Sequence, residues 1–160
     1  MKKLFCILPF VLSIHGFAQT TVIKCGQLID GKSDVSLGKK AIVVEGNLIK
    51  EIIEWDKIPT QVKVIDLSTK TVLPGLIDCH THVLLQGDVT AEEYDDQLLK
   101  ESIPYRTLRA SAACKVALMN GFTTIRDVET EGAMYADVDV KKAINNGVIA
   151  GPRMFVSTRA

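Results

Sequence analysis

The sequence predicts an α/β chain in two parts: a small N-terminal β-sandwich, then the first βα units of a parallel sheet. Three observations carry this. Residues 22–74 hold about five short apolar, β-branched runs separated by turn residues. After Pro74-Gly75 the order becomes strand, helix, strand, helix, strand, the rhythm of parallel βα units. The 160 residues, 47% hydrophobic, give room for one ordinary domain, or a small domain and part of another.

The first eighteen residues stand apart. Lys2 and Lys3 precede the apolar run "LFCILPFVLSI", and Gly16 and Ala18 supply small residues at positions −3 and −1 of a cleavage site. This predicts a secretory signal over 1–18, cut before Gln19, and export to a bacterial periplasm or the extracellular space. The competing reading is an N-terminal anchor or a buried helix. Pro9 and the short length argue against a spanning helix, so no stable membrane span is expected after cleavage. Cys6 lies too early to be a lipoprotein acceptor. Cleavage removes two lysines and no acids from 19 basic and 19 acidic residues, leaving a charge of −2. Neither state offers the basic surface that nucleic acid requires. Cys25, Cys79 and Cys114 are too widely and irregularly spaced for a disulfide framework or a Cys-x-x-Cys metal site. Each reads as a small buried apolar residue.

In the β-rich part (19–74), "TVIKCGQLI" ends at the turn pair Asp30-Gly31. "AIVV" and "LIKEII" flank Glu45-Gly46-Asn47, a hairpin signal, and "VKVIDL" and "KTVLP" follow as two further strands. In the second part (75–160), "GLIDCHTHVLL" reads as a buried strand running into a loop. Thr90 and Glu93 form a capping-box pattern opening "AEEYDDQLLK". Pro104 suits the first turn of a longer helix. There Ala110, Ala113, Cys114, Ala117 and Leu118 fall on one small-residue face, and Gly121 ends the helix. "FTTIRDV" reads as a strand, "DVDVKKAINNG" as a helix stopped by Gly147, and "RMFVST" as the start of another strand.

The chemistry sits in "DCHTH". Alternate side chains of a strand share a face, so Asp78, His80 and His82 are expected to point together. In a parallel barrel, reactive groups gather at the strands' C-terminal ends, and His82 lies nearest that end. Two imidazoles so placed can converge on one ion, with Asp78 orienting an imidazole from outside the ligand set. A His-x-His pair by itself is a weak signal; the Pro-Gly break, the apolar strand and the inward Asp strengthen it.

"VLPGLIDCHTHVLL" resembles the first barrel strand of the amidohydrolase superfamily, with its Pro-Gly-x-x-Asp-x-His-x-His signature. The preceding "LIDG…AIVVEGNLIKEI…VIDLSTKTVLPG" resembles the N-terminal half of that family's small β-sandwich. "NGFTTIRDV" and "INNGVIAGPRMFVS" resemble the next βα units in its imidazolonepropionase-like and Xaa-Pro-dipeptidase-like branch. The resemblance implies an incomplete TIM (β/α)8 barrel and a metal-dependent hydrolase. Its substrate would be a small molecule with a C–N bond in an amide, a cyclic amide or a dipeptide. One or two divalent ions, usually zinc, would polarise the carbonyl and activate a water. His80 and His82 match the first-strand ligands of the more buried ion. Arg126 and Asp127 end the second strand on the substrate side, although structural hydrogen bonds or an ion pair explain them more economically. Cys79 matches a variable position and reads as packing.

The family completes its site with a lysine from the fourth barrel strand, histidines from the fifth and sixth, and an aspartate from the eighth. The catalytic residues are therefore expected beyond Ala160. Such a barrel takes about 250 residues, whereas roughly 85 follow Pro74. The expectation is the N-terminal portion of a longer enzyme, inactive alone. The alternative is a non-catalytic exported β-sandwich binding module with a degenerate barrel remnant; a two-histidine metal carrier has the least behind it. Substrate identity, one metal against two, and oligomeric state are not legible in the sequence.

Overall fold

The computed structural model describes residues 20–87 and 91–159, with the side chains of residues 91 and 92 excluded. The signal reading of residues 1–18 and Thr90 of the capping box fall outside the described residues. Two compact units meet in sequence at Pro74 and Gly75.

The first unit is one four-stranded sheet. Its strands are β1 (Thr20–Leu28), β2 (Leu37–Glu45), β3 (Leu48–Glu54) and β4 (Lys63–Val72), in the order β3-β2-β1-β4. β1 with β2, and β2 with β3, pair antiparallel, while β1 and β4 run parallel. The hairpin forms where expected: Glu45 pairs with Leu48 across Gly46-Asn47, and Gly46 alone of the two takes a positive φ, 62°. That is the sign pattern of a II′ turn, whose twist matches the strands it joins. Asp30 Oδ1 accepts the Lys32 and Ser33 amides and closes the turn after β1.

Two expectations change here. The segments "VKVIDL" and "KTVLP" are not separate strands, because the one strand β4 bulges between them. Cys25 pairs with Leu67 and Gln27 with Thr71, leaving surplus residues of β4 opposite Gly26. A Cβ on Gly26 would stand 2.4 Å from the Ser68 carbonyl oxygen, so only glycine fits against the bulge. The second layer of a sandwich is also not among the described residues of this unit. Instead the single sheet carries an apolar cluster on each face, fed by alternate residues of β2. Ala41 and Val43 join Val22, and Ile42 joins Cys25 and Leu28. Trp55 closes over the first cluster, its indole N–H donating to the carbonyls of Cys25 and Lys40, both at 3.0 Å.

The second unit alternates strand and helix: β5 (Leu76–Thr81), α1 (Ala91–Leu99), α2 (Ile103–Met119), β6 (Phe122–Asp127), α3 (Ala136–Asn145) and β7 (Arg153–Val156). The strands form a parallel sheet in the order β5-β6-β7. Ser102 caps α2 by accepting the Tyr105 amide, with Pro104 in the first turn. The small-residue face works as its spacing implies. Ala110 and Cys114 are fully buried against Ile125 and Met154, and Ala113 and Ala117 are half-buried beside them. Gly121, at φ 92°, turns the chain out of α2 and into β6.

β5 is not the buried strand that its apolar run suggests. Among the described residues it pairs with β6 alone and lies at the sheet edge, where Leu76, Ile77 and Cys79 are exposed. The packing role expected for Cys79 is therefore not met, whereas Cys25 and Cys114 are buried. Burial in a dry core pushes the Cys114 thiol up to about 12, so it stays protonated and inert.

Candidate functional site

The two histidines converge. Their Nε2 atoms lie 3.3 Å apart, with ring centroids 5.3 Å apart and planes tilted by 56°. Simple alternation is not the cause, because β5 is irregular here. Asp78 pairs with Ile125 and Thr81 with Asp127, so Cys79 and His80 stand together opposite Arg126 alone. Such a bulge re-aims side chains. It is stitched on both strands: Asp78 Oδ1 accepts the His80 amide at 3.0 Å, Arg126 Nε donates to the Cys79 carbonyl at 2.7 Å, and Thr81 Oγ1 donates to the Arg126 carbonyl. His82 follows the strand's last residue, at its C-terminal end.

Two nitrogens bound to one zinc ion at about 2.0–2.1 Å and the tetrahedral angle stand about 3.3–3.4 Å apart. The Nε2 separation matches that edge. With one Nε2 protonated the pair is a hydrogen bond; with both lone pairs free it is a two-nitrogen chelate. Among the described residues no third His, Cys, Asp or Glu joins the pair in a group able to hold a metal ion.

The other sequence candidates take distinct places. Asp78 serves the backbone of His80 and touches neither imidazole through a hydrogen bond. Arg126 is exposed and braces β5. Asp127 is wholly buried; its Oδ1 accepts the Val83 amide at 2.8 Å, and its Oδ2 has no partner among the described residues. Burial drives its carboxyl up to about 6, helped by the charge of Asp137 and opposed by the Val83 amide and His82. Arg126 and Asp127 form no ion pair with each other.

Four residues that pattern reading passed over organise the loops around the pair. Glu131 places Oε1 3.2 Å from His82 Nδ1 and accepts the Tyr94 hydroxyl on Oε2 at 2.8 Å. That contact raises the Tyr94 phenol pKa. Arg106, 2% exposed, donates to the carbonyls of Leu84 and Thr130, joining the loop after β5 to the loop after β6. Burial lowers its pKa. Asp137, buried at the start of α3, accepts the Thr158 amide, and the Thr130 amide donates to the Thr158 carbonyl. Arg106 stands four residues before Ala110, in phase with the buried face of α2, so helical spacing offers a signal for it, whereas Glu131 lies in a loop with no periodicity to mark it. A cavity of about 650 Å³ lies beside this network, between β5 and α2, walled by Asp78, Thr81, His82, Ala113 and Ala117.

Comparison with known proteins bears on the family and the fold. The amidohydrolase family model matches residues 71–159. An ochratoxinase of Aspergillus niger is 32% identical over 157 residues, covering 95% of this chain and 31% of the relative. An imidazolonepropionase of Klebsiella pneumoniae subsp. pneumoniae is 37% identical over 75 residues, covering 47% of this chain and 18% of its own length. The crystal structure of a Xaa-Pro dipeptidase with bound methionine in the active site superposes with a TM-score of 0.78 at 33% identity. That match covers 89% of this chain and 34% of the other. The chain thus spans about a third of the length of the ochratoxinase and the dipeptidase. These relatives lend no support to a non-catalytic binding module.

Proposed function

Since this chain belongs to the amidohydrolase family, we propose that the protein is a metal-dependent hydrolase of carbon–nitrogen bonds in small amide, cyclic amide or dipeptide substrates. The observation that carries this reading is the 3.3 Å between His80 Nε2 and His82 Nε2, the separation a single tetrahedral zinc demands of two ligands. His80 and His82 would hold the ion, and a bound divalent metal supplies carbonyl polarisation and a water of lowered pKa. The remaining ligands and the catalytic acid–base groups would come from parts of the fold outside these 160 residues. The four-stranded sheet is then one layer of the family's β-sandwich, and β5, β6 and β7 open its (β/α)8 barrel.

This chain's own residues have defined tasks in that scheme. The bulge at Cys79 and His80 turns one ring toward the other. Asp127 anchors the Val83 amide directly after His82, which fixes where the second ring leaves the strand. Arg106 holds the loops after β5 and β6 at one spacing. Residues 1–18 would direct export, so the mature protein would begin at Gln19. Among the described residues no helix is long and apolar enough to cross a membrane.

The test is zinc content, measured by mass spectrometry on purified protein, with hydrolysis of a panel of dipeptides and cyclic amides. H80A and H82A should each lose bound metal and activity together. Metal retained at wild-type stoichiometry in both variants refutes the assignment.

A further inference from the structure

We propose that Glu131 is a positioning residue for His82: it holds the proton on Nδ1, so that the Nε2 lone pair faces His80 and the shared cation. The inference rests on the metal reading above and names the part of the chain that makes it work.

Three observations lead to it. His82 Nδ1 is buried and makes no hydrogen bond among the described residues, yet Glu131 Oε1 stands 3.2 Å away, at ion-pair distance. A buried ring N–H beside a carboxylate is the arrangement that fixes the tautomer of a metal-binding histidine. Second, Glu131 is held there from several directions. Its carboxylate is largely buried, its other oxygen takes the Tyr94 hydroxyl, and its backbone sits at φ 50°, a left-handed conformation unusual for glutamate. Strain of that kind persists only where the surroundings over-determine it. Those surroundings are the Thr130 hydroxyl bonded to the Met134 carbonyl, the Ala133 amide on the Thr130 carbonyl, and the Arg106 guanidinium on that same carbonyl.

Third, Arg106 spends a buried charge on two carbonyls, those of Leu84 and Thr130, rather than on a carboxylate. Leu84 follows His82 by two residues, and Thr130 directly precedes Glu131. The guanidinium therefore sets the distance between imidazole and carboxylate. Asp127, the other acid near His82, already commits Oδ1 to the Val83 amide.

The proton arrangement is directly observable. In protein stripped of metal and labelled with ¹⁵N-histidine, long-range ¹H–¹⁵N spectra report which ring nitrogen carries the proton, with His82 assigned from the H82Q spectrum. Wild type should show the Nδ1–H tautomer. E131A should shift His82 toward Nε2–H and weaken zinc binding about 10–100-fold. E131Q keeps an acceptor and should recover most of both, and Y94F should lose less than about tenfold. An Nε2–H tautomer in the wild type overturns the proposal without any variant having to fold. So does an E131A protein with unchanged tautomer and zinc affinity, or a tautomer shift produced by D127N instead. If H82Q still binds zinc like the wild type, the metal reading fails, and the proposal with it. If H82Q loses zinc while E131A does not, only the role of Glu131 is lost.

Discussion

Asp127 is a carboxyl in a place that opposes its own charge. Its ordinary carboxylate range is near 3.8, and burial lifts it to about 6 in the folded protein. The folded state therefore binds this proton more tightly than the unfolded chain does. Its stabilising contribution is complete below about pH 4, and it is lost as pH rises through about 6. A two-unit difference corresponds to about 3 kcal/mol. D127N, which keeps a side-chain acceptor for the Val83 amide, cannot ionise. Denaturant unfolding at pH 4 and pH 7 should show the wild type losing stability relative to D127N by an amount of that order. A difference that does not change with pH would mean that the Asp127 carboxylate finds a compensating donor. None of this is written in "TTIRDV", where Asp127 looks like any strand-end acid. Burial in the folded protein raises its pKa, the charge of Asp137 on α3 adds to that, and the Val83 amide, some forty residues earlier in the chain, opposes it.

At the scale of elements, the strand ends depend on glycines at crowded positions. A Cβ on Gly75 would lie 2.0 Å from Thr123 Oγ1 and 2.6 Å from Thr123 Cβ. That crowding arises because β5 and β6 begin side by side, Leu76 pairing with Phe122. G75A should cost about 1–3 kcal/mol, the range for overpacking. T123A should recover only part of that loss, since its own Cβ remains too close, and a double-mutant cycle reads the coupling. Full recovery would place the conflict in the hydroxyl and methyl alone. The helices are the most legible elements: α2 carries Pro104 in its first turn, ends at Gly121, and packs its alanine face on the sheet. The strands are less so. A bulge leaves no hydrophobic periodicity, so β4 reads as two strands, and the irregularity at His80 is hidden inside a regular-looking alternation.

At the scale of the molecule, β5 and β7 each pair only with β6, so their outer edges are unpaired among the described residues. Apolar side chains stand on both, with Ile77 65% exposed and Phe155 55% exposed. Open, apolar edges template pairing with another chain. Expressed as these 160 residues, the protein should self-associate in a concentration-dependent way by sedimentation velocity, and I77K should shift it toward monomer. A wild-type monomer at high concentration would show the edges to be protected by something other than strand pairing.

The sequence by itself determined most element types, the change of architecture at Pro74-Gly75 and the placing of two histidines one residue apart, because these follow from local periodicity, turn chemistry and residue order. It also carried the family, through a motif read in order along one strand. The convergence of the rings also needs the irregularity in β5. Tertiary structure alone decided that Arg126 braces β5 through the Cys79 carbonyl, that Asp127 anchors the Val83 amide, and that Glu131 faces His82. Those facts depend on which loops meet after the strands have paired, and contacts between residues some fifty positions apart leave no mark on the residues nearby.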